Sequence, residues 1–207
     1  MKTLSFGRFM RGLAENKRYM LAASLLFVAG IVLGTLNAGS LQRLLSSQLE
    51  GLQTVAQSIQ QTDNAQFGFF RFIFLNNAIK AVMVMLLGAF FGIAPFVFLV
   101  INGGVIGFIV MLYGDQGQDV SKLIFQGLLP HGIIEIPAIV IACAYGLKFG
   151  MLVLGSLFSL GNASKRAALG VRWENGMLQM LGAAFWVVIL LLVAAVIEST
   201  LTLYLLG

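Results

Sequence analysis

Residues 129–142 read Leu-Pro-His-Gly-Ile-Ile-Glu-Ile-Pro-Ala-Ile-Val-Ile-Ala, a run whose only polar side chains are His131 and Glu135. His131 is also the chain's single histidine. The two are four residues apart and therefore share a face of a helix, while Pro130 and Pro137 bracket them where a helix starts or bends. With Gly132 between them, these prolines mark a structural hinge. Apolar residues on every other face leave nothing to turn toward water, as expected of a helix surrounded by protein or lipid. A carboxylate in such a place is either protonated or held by a partner. Two readings follow. The pair is a helix–helix contact that satisfies itself and fixes the geometry of a bundle, or it serves a substrate, an ion or a partner protein.

The composition says what surrounds this run. Of 207 residues 59% are hydrophobic and 10% charged, with a mean hydropathy of +0.94, whereas soluble domains carry about 25% charged residues. The fold class is therefore all-α, a polytopic membrane helix bundle of about five transmembrane helices with amphipathic surface helices. The 24 glycines suit close helix contacts in lipid. Small pairs four apart occur at Gly30/Gly34, Gly88/Gly92, Gly103/Gly107 and Gly146/Gly150. The net charge of +5 is not a nucleic-acid signal, because the basic residues fall at the ends of apolar runs and form no patch. Cys143, the one cysteine, excludes an intrachain disulfide and reads as a small buried hydrophobe.

Along the chain, residues 1–18 form a basic amphipathic stretch with Phe6, Phe9, Met10 and Leu13 at helical spacing. It reads as a helix on the cytoplasmic membrane surface, its cations meeting anionic lipid. Residues 19–36 are a first span and an uncleaved anchor. Residues 37–71 form an extracytoplasmic amphipathic segment in which Leu41, Leu45, Leu49, Leu52, Val55 and Ile59 recur every three to four residues. Such a stripe suits the membrane, the bundle or self-association. Phenylalanines from Phe67 to Phe74 lead into a bundle of residues 72–207.

The second span, from about Phe72, carries Asn76, Asn77 and Lys80, with Lys80 too deep for its stem alone to free it. Pro95 opens a third span containing Asn102. After Lys148 the apolar run 149–160 is too short to cross alone, so it is interfacial, re-entrant or an extension of the preceding helix. A last span covers about 177–197. Five crossings put nine of the thirteen basic residues (Lys2, Arg8, Arg11, Lys17, Arg18, Lys148, Lys165, Arg166 and Arg172) on one face. The positive-inside bias then sets the N-terminus in the cytoplasm and the C-terminus outside, in the plasma membrane.

Several of these residues together resemble a known family. Asn76-Asn77, Asn102-Gly103 with Gly107, His131-Gly132-x-x-Glu135-x-Pro137 and Gly146-Leu147-x-x-Gly150 are similar to the stage II sporulation protein M family of integral membrane proteins. The similarity covers roughly residues 65–200, and the His-Gly-x-x-Glu-x-Pro block is its most specific part. The sporulation member of that family acts with a peptidoglycan hydrolase and a partner membrane protein during engulfment. Relatives occur in bacteria and archaea that form no spores. The resemblance implies a membrane bundle in such a cell more firmly than it implies sporulation.

No enzyme is expected. One histidine cannot build a His-Glu-x-x-His zinc site, and His131 and Cys143 lie about 120° apart around one helix. There is no phosphate-binding glycine loop and no Cys-x-x-Cys. No metal or cofactor is expected. The partners expected are membrane lipid, other membrane or envelope proteins and a second copy of the chain, with no nucleic acid. Two functional classes remain. One is a non-catalytic assembly or scaffold protein linked to envelope or membrane remodelling. The other is a transporter or flippase using a buried cluster of Asn76, Asn77, Lys80, Asn102, His131 and Glu135.

Overall fold

The computed structural model describes residues 4–36, 51, 54–55, 57–61, 64–159 and 163–206. Its long elements are all helices: α1 (Phe6–Glu15), α2 (Lys17–Leu36), α3 (Ala65–Leu87), α4 (Ile93–Asp115), α5 (Leu129–Phe158) and α6 (Ala163–Leu206). Five of these, α2 to α6, contain stretches long and apolar enough to cross a membrane. The chain is a multi-pass membrane bundle.

Local chemistry sets the ends of these helices. Asn16 separates α1 from α2, and its carbonyl accepts from the amides of Tyr19 and Met20 in the first turn of α2, at 2.9 and 3.1 Å. Asn64 caps α3, its side chain accepting from the Phe67 amide at 3.1 Å. The phenylalanines expected to lead into the second span are therefore already helical from Ala65, and Phe70 and Phe74 stack with centroids 6.0 Å apart. Between α3 and α4 the chain turns at residues 88–92, where Phe91 and Gly92 have positive φ. Pro95 lies buried in the first turn of α4, where its missing N–H costs nothing. Asp119 then caps a short turn, Val120–Lys122, by accepting from the Ser121 and Lys122 amides. A wider π-helical turn, Leu123–Leu128, delivers the chain into α5.

α5 is the central helix, packing against α2, α3, α4 and α6. Its sequence permits this because Ala138, Ala142, Cys143 and Ala144 are fully buried, small enough for neighbours to close around it. The helix runs through Pro137 and on past Lys148 to Phe158. Residues 149–158 thus extend the preceding helix and pack on α6, where Trp173 Nε1 donates to Ser156 Oγ at 2.8 Å and meets Phe149 edge-on.

Two glycine seams hold the spans together. On the first, α2 meets α4: a Cβ on Gly30 would sit 2.5 Å from the Val100 carbonyl oxygen. Cβ atoms on Gly34, Gly103 and Gly107 would approach the carbonyl oxygens of Gly104, Phe27 and Ile31 more closely still. On the second, the α3–α4 turn meets α5, with Gly88 against the Gly146 carbonyl and Gly150 against the Gly92 amide. All four glycine pairs of the sequence are used. Backbones at this distance gain dispersion contacts that lipid cannot replace.

Of the stretch 37–71, residues 37–50, 52–53, 56 and 62–63 lie outside the described residues. Residues 54–55 and 57–60 are helical, with Val55 and Ile59 half-buried and Gln57, Ser58 and Gln60 exposed.

Candidate functional site

Asn76 and Asn77 fall at the middle of α3, and Asn102 near the middle of α4. Glu135 comes one turn after Pro130 on α5. The seams bring these positions level, and Asn77, Lys80, Asn102 and Glu135 line one cavity of about 200 Å³ between α3, α4 and α5. A chain of side-chain hydrogen bonds enters it. Asn76 Nδ2 donates to Asn77 Oδ1 at 3.3 Å, and Asn77 Nδ2 donates to Glu135 Oε1 at 2.9 Å. Asn102 instead donates to the Phe98 carbonyl of its own helix at 2.7 Å. Lys80 lines the same space, so cation and carboxylate share it, while the hydrogen bond from α3 to Glu135 is the amide's.

The cavity lies on the flank of the bundle. Lys80 and Ile101, both on its lining, are exposed. The space is far larger than one water needs, and its polar groups could hold several waters or a small polar solute. The backbone of His131 lies one turn before Glu135, and its side chain lies outside the described residues. Gly132 is buried against Ile136, Pro130 begins α5, and Pro137 is an exposed residue within it. Among the described residues no three His, Cys, Asp or Glu side chains gather in a way that could hold a metal.

A second polar cluster is one that sequence reasoning missed. Gln179 of α6 accepts at Oε1 from Asn16 Nδ2 (2.9 Å) and from Lys148 Nζ (2.5 Å). Its Nε2 donates to Glu15 Oε2 at 2.9 Å. Asn16 is buried and also donates to the Gly12 carbonyl at 2.7 Å. One glutamine thus joins the α1–α2 junction, α5 and α6. Next to it α1 turns its phenylalanine face onto α6. Phe6 and Phe9 pack on Trp186 with centroids 5.0 and 5.9 Å away, and Trp186 Nε1 donates to the Leu4 carbonyl at 3.0 Å. The sequence signal was Gln179 at the start of an apolar run, together with the Phe6–Phe9 spacing. Nothing in the pattern linked them.

A model of the family described as Stage II sporulation protein M matches residues 23–203. Two proteins of Methanocaldococcus jannaschii, each described as uncharacterized, are also similar. One is 27% identical over 192 residues, covering 91% of this chain and 83% of the relative. The other is 28% identical over 179 residues, covering 86% and 90%. No solved structure matches.

Proposed function

The chain belongs to the stage II sporulation protein M family, and on that premise we propose that it is a non-catalytic assembly or scaffold protein of the plasma membrane, linked to envelope or membrane remodelling. The observation that supports this is the pair of glycine seams. They lock α2 to α4 and the α3–α4 turn to α5 backbone against backbone, which suits a rigid platform better than helices that must slide past one another. The orientation proposed is N-terminus in the cytoplasm and C-terminus outside. Arg8, Arg11, Lys17, Arg18 and Lys148 belong to the end of the bundle where α2 begins, in keeping with the positive-inside bias. The segment 37–71 is then the outer face, where a membrane or envelope protein or a second copy would dock.

Photo-crosslinkers placed at Leu45 and Leu52 in intact cells test this reading. Discrete adducts to another membrane or envelope protein, or to a second copy, are expected. Adducts to lipid alone at both positions would overturn it. The orientation is checked in a Cys143→Ala background: a cysteine at Asp63 should react with an impermeant thiol reagent in whole cells, and one at Lys165 only after lysis.

A second reading, transport or lipid flipping, is favoured by one observation, the polar cavity at mid-helix depth lined by Asn77, Lys80, Asn102 and Glu135. It predicts that a cysteine at Asn102 is labelled from both sides of the membrane in turn. A platform exposes it to at most one.

A further inference from the structure

The aromatic anchor of α1 sets the depth of its arginines. At one end of α1, Glu15 and Asn16 bond to Gln179; at the other, Leu4, Phe6 and Phe9 meet Trp186. Gln179 and Trp186 are two turns apart on α6, roughly 10 Å of rise. The helix therefore slopes along α6 with its first residues the deeper. A basic helix floating on a membrane holds its guanidinium groups above the lipid phosphates, whereas a helix that slopes this way lowers them toward the phosphates. Arg8 and Arg11, three residues apart and so on one face, line a cleft of about 420 Å³ between α1 and α6.

The cleft is chemically suited to an anion with apolar tails. Asn175 lines it just before the apolar run that begins at Met177, the part of the chain where a headgroup boundary is expected. The one acid on the lining, Glu15, accepts from Gln179, and Lys148 adds a further cation behind that amide. Among the described residues neither guanidinium is engaged by another side chain. Leu178 on the lining is exposed apolar surface. An arginine fork matches phosphate oxygens two at a time.

We propose that this cleft binds the phosphate-bearing headgroup of an anionic lipid, with Arg8 and Arg11 holding the phosphate and the acyl chains lying along the exposed apolar surface. The site depends on the slope of α1, not on the scaffold reading or on which leaflet it faces.

Native mass spectrometry of the full chain in neutral detergent, with phosphatidylglycerol or phosphatidylcholine added, tests it. The wild type should retain phosphatidylglycerol preferentially. The double variant Arg8→Gln/Arg11→Gln should bind it about tenfold more weakly or worse, from the loss of two juxtamembrane cations. Its lipid-free thermal midpoint should stay unchanged, since both side chains are exposed. Lys17→Gln/Arg18→Gln removes the same charge just outside the cleft and should retain most of the binding. Equal losses in the two doubles would mean diffuse attraction and overturn the site. Inorganic phosphate that protects the wild type from heat as well as phosphatidylglycerol does would overturn the lipid as its ligand. Trp186→Ala, which frees the anchor with both arginines intact, should also weaken binding; full retention would overturn the depth argument.

Discussion

The flank cavity and the Gln179 cluster use the same materials, amides and opposite charges, and finish them differently. Around Gln179 the side chains close on one another, its oxygen accepting from Asn16 and Lys148 and its nitrogen donating to Glu15. In the cavity one hydrogen bond from Asn77 crosses from α3 to α5, Asn102 turns back to its own helix, and about 200 Å³ stays open. Polar groups that satisfy one another fix geometry; polar groups that face a space are available to exchange partners. The first cluster is a clamp, and the second is where the bundle has left room. Both rest on α5, which carries Glu135 at one end and Lys148 nearer the other.

Moving α5 should therefore break both at once. Gly150→Leu drives a side chain into the Gly92 amide, the Phe91 carbonyl carbon and the Gly88 oxygen, all backbone atoms that cannot step aside. A loss of about 3 kcal/mol or more is expected, seen as aggregation or a collapsed thermal midpoint in detergent. A Cβ at exposed Gly155 on the same helix would meet nothing within 4 Å, and Gly155→Leu should behave as wild type. If the two variants are equally stable, the seam does not position α5.

Gln179→Leu should separate the clusters. It leaves buried Asn16 and half-buried Lys148 without their shared acceptor, at a cost of about 2–3 kcal/mol, while the cavity is untouched. Adding Lys148→Met should recover part of that loss, because the stranded charge goes with it. A Gln179→Leu protein as stable as wild type would show that the clamp is no clamp, and the contrast with the cavity would fall.

How much of this could be read beforehand depends on the range of the signal. Five crossings and the four glycine pairs are local, a matter of apolar length and four-residue spacing, and they stand in the chain plainly. Four of the residues singled out as polar intruders, Asn77, Lys80, Asn102 and Glu135, share one cavity because the seams set their helices level, with Lys80 exposed at its flank. Which glycine pair meets which is a matter of helix faces, and spacing alone does not choose Gly30 against Val100 or Gly150 against Gly92. Lys148 read as the end of a span because a lysine normally seeks water. A lysine bonded to Gln179 needs no water, so α5 continues through it to Phe158. The docking of α1 on Trp186 was invisible for a simpler reason: a phenylalanine stripe looks the same whether it meets lipid or an indole.

The smallest effects are expected in the cavity, and they decide what it is for. Glu135→Gln keeps an oxygen for Asn77 Nδ2 and removes only the charge, so it should change stability by about 1 kcal/mol or less. Lys80 is exposed on the flank of the bundle rather than enclosed by protein, and Lys80→Met should cost about as little, since an exposed ion pair contributes little to folding. The double variant turns these into a coupling energy, measured from thermal midpoints of the purified proteins in detergent. A coupling above about 2 kcal/mol would make Lys80 and Glu135 a structural ion pair, and the cavity would be a second clamp. A coupling near zero would mean that Glu135 is held for folding by groups other than Lys80, the amide of Asn77 among them. Near-wild-type stability in Glu135→Gln, together with a defect in the cell, would then mean that the charge is kept for something other than the fold. That result would move the balance from platform toward transport, because a carboxylate that the bundle does not need, set at mid-depth beside a cation in an open cavity, has its use in what enters that cavity.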